Sequence, residues 1–368
     1  MTAPTSEAPS SAAVARTGLL GFVLDIHNRT ILFRVGNWIL VTYGLLAGLA
    51  FFVGHSAALW FDGMSGQSVH EKAQFYLFFL LPAMLMGARA FSVLLEWREL
   101  FRKPLQTLVK PGYMLHGGVF GGLAAMVAYA TMSDQSLLRI MDAGAFAVPL
   151  GEALCRIGCY VYGCCWGRPS TGPFGVRYTS PHAKVVRCAP HLHGVRLHPT
   201  QVYGLVAHLA QFTVFYAILP FKAFDGMIAG LYLVTHPMIR FTLERFRQDD
   251  RGKLFGPFTH TNLYSIVMIA LGALCLLIGS QSGMNAPINM QYRWIHVVTD
   301  PSLLLWLSLV MIVVVLAFGV HYRSVGSWMN RPSGGLYANI DELSMGASER
   351  LDAIMHGHPL EHEHEHER

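Results

Sequence analysis

Residues 74–94 read QFYLFFLLPAMLMGARAFSVL, an apolar run whose only charged side chain, Arg89, stands near its far end. A helix needs roughly 20 such residues to cross the ~30 Å hydrocarbon core of a bilayer. Runs of the same kind recur at Asn37–Val53, Tyr113–Met132, Leu137–Val161, Val202–Leu219, Gly226–Phe246, Leu263–Gly279 and Leu303–Val320. The 368 residues are 53% hydrophobic and only 13% charged, which excludes an ordinary water-soluble domain. Inside lipid only helices and closed barrels satisfy their own backbone hydrogen bonds, and these runs are too long and too uniformly apolar for barrel strands. The sequence therefore predicts an all-α polytopic transmembrane helical bundle. The net charge of +5 is spread over the ends of the runs, so no nucleic-acid partner is expected.

Five regions follow from the composition. Residues 1–35 are expected as a flexible N-terminal tail: Met1 to Thr30 are rich in Ala, Ser, Thr and Pro and lack the basic-then-apolar order of a cleaved signal peptide. Residues 36–280 form the transmembrane core, with a small head domain at 166–197 between spans four and five. That segment carries Pro169, Gly172, Pro173 and Gly175 ahead of Val176-Arg177-Tyr178, a turn leading into a short strand. Residues 281–322 add an eighth, C-terminal span. Residues 323–368 form a His/Glu-rich tail, expected to be disordered, that ends in His356, His358, His362, His364 and His366; it reads equally as a metal buffer or a purification tag.

Threading the spans through a bilayer by alternation gathers the unusual polar residues on one side, called side A, which also holds the N-terminus. There lie Tyr43, Arg89, His116, Arg156, Cys159, His198, Gln201, Tyr203, Arg240 and Glu244. Ionisable groups at membrane depth are costly and are read as functional by default. Lys103, Lys110 and Arg251 are better read as helix-end cations whose stems snorkel to the surface.

These residues resemble the prolipoprotein diacylglyceryl transferase family, in order, from about Gly36 to Gly279. Tyr43-Gly44-Leu45 looks like its first-span motif, Gly87-Ala88-Arg89 like the end of its second, and His116-Gly117-Gly118 like its histidine followed by two glycines. Arg156-Ile157-Gly158, with Gly163, Trp166, Gly167 and Arg168, looks like the family signature. His198-Pro199-Thr200-Gln201-Val202-Tyr203 and Arg240-x-x-x-Glu244-x-x-Arg247 complete the set. Any one of these is weak, whereas six in order at the matching span ends are specific.

The resemblance implies seven spans and transfer of the diacylglyceryl group of phosphatidylglycerol to the thiol of a lipobox cysteine in a preprolipoprotein. It implies a monomer in the bacterial cytoplasmic (inner) membrane, with the active site on the extracytoplasmic side. Such chemistry needs cations for an anionic phosphodiester and an acceptor for the thiol proton. Arg156 and Arg240 suit the first task because guanidinium stays charged and forks onto phosphate oxygens. His116 suits the second. Tyr43, Arg89, Gly117, Gly118, Gly167, His198, Gln201, Tyr203, Glu244 and Arg247 are the expected substrate-binding residues; no cofactor and no resident metal are expected.

Departures from the family pattern accompany the matches. Cys159 stands for an asparagine, Cys164 for a glutamate, Gly204 for another glutamate and His236 for a tyrosine. Cys155, Cys159, Cys164, Cys165 and Cys188 crowd the site, while Cys275 reads as core packing. Cys159, Cys164 and Cys165 leave three roles open: inert packing, redox thiols, or a metal or covalent site. A cysteine-dependent redox or metal enzyme, or a non-enzymatic lipid-binding or metal-handling protein, thus stand as alternatives. Lys and Arg concentrate on side A, leaving Lys72, Arg139, Lys222 and Arg293 on the other, side B. The positive-inside rule would put side A in the cytoplasm; the orientation implied by the resemblance is retained as the expectation.

Overall fold

The computed structural model describes residues 26–109, 115–172, 174–248, 253–255, 258–285, 287–322 and 324–325. Its long helices are α1 (Thr42–Met64), α2 (Val69–Leu95), α3 (Leu115–Ser133), α4 (Leu137–Tyr162), α5 (Thr200–Ile218), α6 (Met227–Glu244), α7 (His260–Ser282) and α8 (Pro301–Gly319). Among the described residues, five helices (α1, α2, α5, α7 and α8) are long and apolar enough to cross a membrane. α2 is continuous through a π-helical stretch, Tyr76–Leu80, just before Pro82.

The chain is not purely helical, which corrects two expectations. β1 (Ile31–Val35) and β2 (Trp38–Val41) form an antiparallel hairpin around Gly36 (φ +57°), and Val320–Tyr322, directly after the last helix, adds a third strand in the order β1, β2, then this strand. The first helix therefore begins at Thr42 rather than Asn37 and runs on to Met64. The expected tail over 1–35 also ends early, because Ile26–Asn28 and β1 are structured. The reason is local: short apolar runs do not by periodicity alone distinguish strand from helix, and Gly36-Asn37 is a two-residue hairpin turn.

Helices approach one another where side chains are missing. A Cβ added at Gly44 would fall 2.1 Å from Gly319 Cα, and one at Gly87 would fall 2.3 Å from Gly117 O, so α1 seats on α8 and α2 on α3 backbone to backbone. Lipid tails are as apolar as leucine, so such close packing of small residues drives helix association in a bilayer. At the B end, charged groups pin α4 and α6. Asp142 accepts from Gly226 N at 2.8 Å and Ala229 N at 2.9 Å, Lys222 bridges to Asp225 at 2.7 Å, and Arg139 reaches Asp225 at 3.0 Å.

Residues after α4 fold around their own apolar cluster of Trp166, Val176, Tyr178, Ala183, Val185, Val186, Leu192 and Leu197. β3 (Val176–Arg177) pairs with β4 (Arg196–Leu197) beneath it. The N-terminal segment is stitched to this unit, Asn28 Oδ1 accepting from Thr179 N at 3.0 Å and Ser180 N at 3.2 Å. An apolar groove of about 820 Å³ lies between α2 and α3, lined by residues such as Phe78, Met86, Gly87 and Gly121. Among the described residues its lining holds no ionisable cluster, so it is not taken as the site.

Candidate active site at the A end

α4 carries Glu152, Cys155, Arg156 and Cys159 on successive turns of one face, a consequence of the 3.6-residue period. It ends on Gly163 at φ +71°, the left-handed position that closes many helices, and Cys164 N bonds back to Cys159 O at 3.1 Å. Cys165 follows at φ +58°, a conformation uncommon for any residue with a Cβ. This doubled reversal folds the sulfurs of Cys159, Cys164 and Cys165 to within 4.8 Å of one another, with no disulfide between them. Hydrogen bonding to Cys159 and Cys165, with burial, pushes the Cys164 thiol well above its ordinary range. Cys165 is held below that range: the bond to Cys159 opposes, while the bond to Cys164 and the charge of Arg247 favour its thiolate.

The start of α5 clamps the reversal. The Thr200 hydroxyl donates to Cys165 O at 2.6 Å and Gln201 Nε2 donates to Cys164 O at 2.7 Å. Gln201, 1% exposed, is thus placed by the sequence motif to hold backbone. His198 Nδ1 lies 3.2 Å from the Tyr203 hydroxyl, and both rings pack on Phe246. Gly204, next along, leaves room for the stem of Arg156, whose Nε would stand 3.1 Å from a Cβ there.

The end of α6 closes onto the same place. Gly167 pairs with Arg247 in an antiparallel bridge, Arg168 N donates to Phe246 O at 2.8 Å, and Arg168 Nε donates to Arg247 O at 3.0 Å. Arg240 is held by Glu244 at 3.2 Å, one turn on. Arg156 lies within the electrostatic reach of Arg247, Glu152, Cys159 and Cys165. The structure thus gathers Arg156, Cys159, Cys164, Cys165, Gly167, His198, Gln201, Tyr203 and Arg247, with Arg240 and Glu244 on the last turns of the helix that delivers Arg247.

Other predicted residues are placed differently. Tyr43 packs on Gly158 from the α1 side, its hydroxyl 4.0 Å from Cys155 Sγ. Arg89 donates to the carbonyls of Thr107 and Leu108, each at 2.8 Å, capping a short helix. A Cβ on Gly117 would meet Gly87 O at 2.2 Å and one on Gly118 would meet Met84 O at 3.3 Å, so both glycines face α2. The backbone of His116 opens α3, and its side chain lies outside the described residues.

Two residues absent from the sequence reading stand out: Glu152 and His208, which meet His236 inside the bundle. Their signal was present in the sequence, since each is an ionisable group well inside an apolar run.

Residues 30–278 match the family model of prolipoprotein diacylglyceryl transferase. The phosphatidylglycerol–prolipoprotein diacylglyceryl transferase of Zymomonas mobilis subsp. mobilis is 32% identical over 219 residues, covering 57% of this chain and 73% of that protein. The protein of the same name from Pseudoalteromonas translucida is 27% identical over 260 residues, covering 67% of this chain and 91% of that one. That of Clostridium tetani is 28% identical over 175 residues, 46% of this chain and 66% of its own length.

Proposed function

The chain belongs to the prolipoprotein diacylglyceryl transferase family, a family of transferases, and on that premise we propose that it moves a glyceryl-lipid group from phosphatidylglycerol, or a related anionic phospholipid, to a thiol or other acceptor. The acceptor is a lipobox cysteine of a preprolipoprotein, another thiol, or another acceptor group. In this reading the acceptor sulfur attacks the diacylglyceryl carbon, the carbon–oxygen bond to phosphate breaks, and glycerol phosphate leaves with the electron pair. His116 takes the thiol proton, and Arg156 and Arg240 hold the phosphate as charge collects on its departing oxygen. Gly167, His198, Gln201, Tyr203, Glu244 and Arg247 build the headgroup end of the site, and Tyr43, Arg89, Gly117 and Gly118 serve substrate binding through the helix packing they set.

The observation that carries the reading is the closure of α4 on α6. The Gly167–Arg247 bridge brings the guanidinium-bearing ends of both helices to one end of the bundle, beside a thiol-lined turn. Eight membrane spans, with residues 166–197 as a head over this end, a monomeric state, and an extracytoplasmic site in the bacterial inner membrane belong to the same proposal.

The test is glycerol phosphate release from phosphatidylglycerol vesicles in the presence of a lipobox peptide. Arg156→Lys and Arg240→Lys are each expected to lose at least tenfold in turnover, because a point ammonium does not reproduce a fork. His116→Gln is expected to bind lipid without turnover. Near-normal rates in either lysine variant remove that arginine from the site. A second reading, cysteine-dependent redox or metal chemistry on the same scaffold, rests on the convergence of Cys159, Cys164 and Cys165; loss of titratable thiols on oxidation, with no lipid turnover by the reduced protein, would favour it.

A further inference from the structure

Three ionisable side chains that the transferase reading does not use converge in the interior of the bundle. Glu152 of α4 presents Oε2 at 3.3 Å from His208 Nδ1 of α5 and at 3.2 Å from His236 Nδ1 of α6. The ligand atoms of all three lie within 4.8 Å of one another, and the two imidazoles are nearly parallel, 5.4 Å apart at 22°. At ~1.5 Å per residue each sits about 12–15 Å from the A end of its helix. The side chain of His208 is 1% exposed, that of His236 15% and that of Glu152 29%.

We propose that Glu152, His208 and His236 bind a divalent first-row transition metal ion of the zinc type, with Gln211 Oε1 as fourth donor. Ligands ~2.1 Å from a tetrahedral ion stand ~3.4 Å from each other. The separations found are of that size: 3.2 and 3.3 Å around the carboxylate, and 3.5 Å between His208 Nδ1 and Gln211 Oε1. Gln211 is turned to offer its oxygen, because its Nε2 donates to Thr235 Oγ1 at 2.7 Å and Thr235 Oγ1 in turn donates to Leu231 O at 2.7 Å.

Proximity alone would also describe a histidine–glutamate ion pair; the alignment favours a metal. Glu152 Oε2 and His236 Nδ1 are buried and neither makes a hydrogen bond, although they are 3.2 Å apart. Donor atoms that close, yet not aimed at each other, are arranged around a common point. Two imidazoles with one carboxylate select zinc, iron, cobalt, nickel or copper over magnesium and calcium, which prefer all-oxygen shells. Both helices that supply the carboxylate–imidazole contact also carry a proline here, Pro149 three residues before Glu152 and Pro237 directly after His236. Each proline removes one intrahelical donor, and in membrane helices such breaks are tolerated where neighbours re-satisfy the backbone or a cavity is lined. An ion at this point would tie α4, α5 and α6 together one turn below Arg156.

Cobalt(II) added to the full-length protein tests this independently of any lipid chemistry. Wild type is expected to bind one more equivalent than Glu152→Gln or His208→Gln, and that equivalent should show d–d absorption of a four-coordinate nitrogen and oxygen site without a thiolate charge-transfer band. His236→Tyr, which restores the ring of the family pattern and so keeps the helix packed, should lose the same equivalent. The combined variant Cys159→Ser, Cys164→Ser, Cys165→Ser should keep it, and comparison between variants cancels binding by the histidines of the C-terminal tail. Zinc should raise the thermal midpoint of wild type and leave that of His236→Tyr unmoved. Equal cobalt stoichiometry and spectra in wild type, His208→Gln and His236→Tyr would overturn the proposal and leave an ion pair only. Loss of the band in the serine variant instead would assign the metal to the thiols.

Discussion

Gly167 is the residue at which three stretches of the site touch. A Cβ there would lie 2.5 Å from His198 O, 2.7 Å from His198 Cβ and 2.9 Å from Phe246 O, so relief requires moving backbone that is already bonded on both sides. Overpacking of this kind costs about 1–3 kcal/mol, and here it would also break the bridge that brings Arg247 in. Gly167→Ala is therefore expected to lower the thermal midpoint by several degrees and to lose most activity. Gly54→Ala, whose Cβ would meet nothing nearer than 3.6 Å, should do neither. Unfolding curves of the two variants in one detergent decide it; equal midpoints would show that the junction has slack. Gly167 was legible in the sequence as part of a motif, but its reason was not, because the atoms it must avoid come from residues 31 and 79 positions away. Gly204 teaches the converse. As a departure from the family pattern it looked like a lost carboxylate, whereas in the fold it is room for the Arg156 stem.

Among the elements, the three-stranded sheet at the A end is what the sequence concealed. Residues 31–35 read as the end of the tail and 38–41 as the start of a span, and the closing strand Val320–Tyr322 lies nearly 280 residues downstream of β2, beyond any local pattern. Where the signal was long and uniform, as in α7 and α8, the predicted and observed helices agree within a few residues. The sheet also holds a titratable group. His321, opposite Ile39, is 1% exposed, and burial together with the charge of Arg187 lowers its pKa to about 4. An unfolded histidine titrates near ~6.5, so the folded state resists a proton that the unfolded state accepts. Stability from this group is complete above about pH 6.5 and is lost as pH falls towards 4, by roughly 3 kcal/mol at most. Replacing His321 by Gln removes the titration. Thermal midpoints measured at pH 7 and pH 4.5 should therefore fall further in wild type than in His321→Gln; equal falls would mean that the histidine is solvated.

For the whole molecule the open physical question is which way it sits in the membrane, because two arguments disagree. Pairing of Trp38 with Tyr322 places both ends of the helical core at the A end, beside the arginine cluster, so the orientation of one fixes the other. Lys and Arg favour the A side, which by charge bias alone would make it cytoplasmic. Many of those cations, however, are committed within the fold. Arg89, Arg168, Arg177, Arg187 and Arg196 all donate to backbone carbonyls, and Arg240 is paired with Glu244. Their number reflects what holds the segment after α4 and the site together, so it exaggerates the topological signal. On the B side Arg139 and Lys222 are likewise committed, in ion pairs with Asp225, so the discount applies to both faces and weighs more on the A side only because more cations lie there. The transferase reading proposed above puts the site on the extracytoplasmic face. Fusion of alkaline phosphatase, active only outside the cytoplasm, after Arg368 is accordingly expected to give an active reporter, and fusion within the B-side segment Met284–Gln291 an inactive one. The reverse pair of results would place the arginine cluster in the cytoplasm, and the acceptor would then have to be a cytoplasmic thiol rather than an exported one.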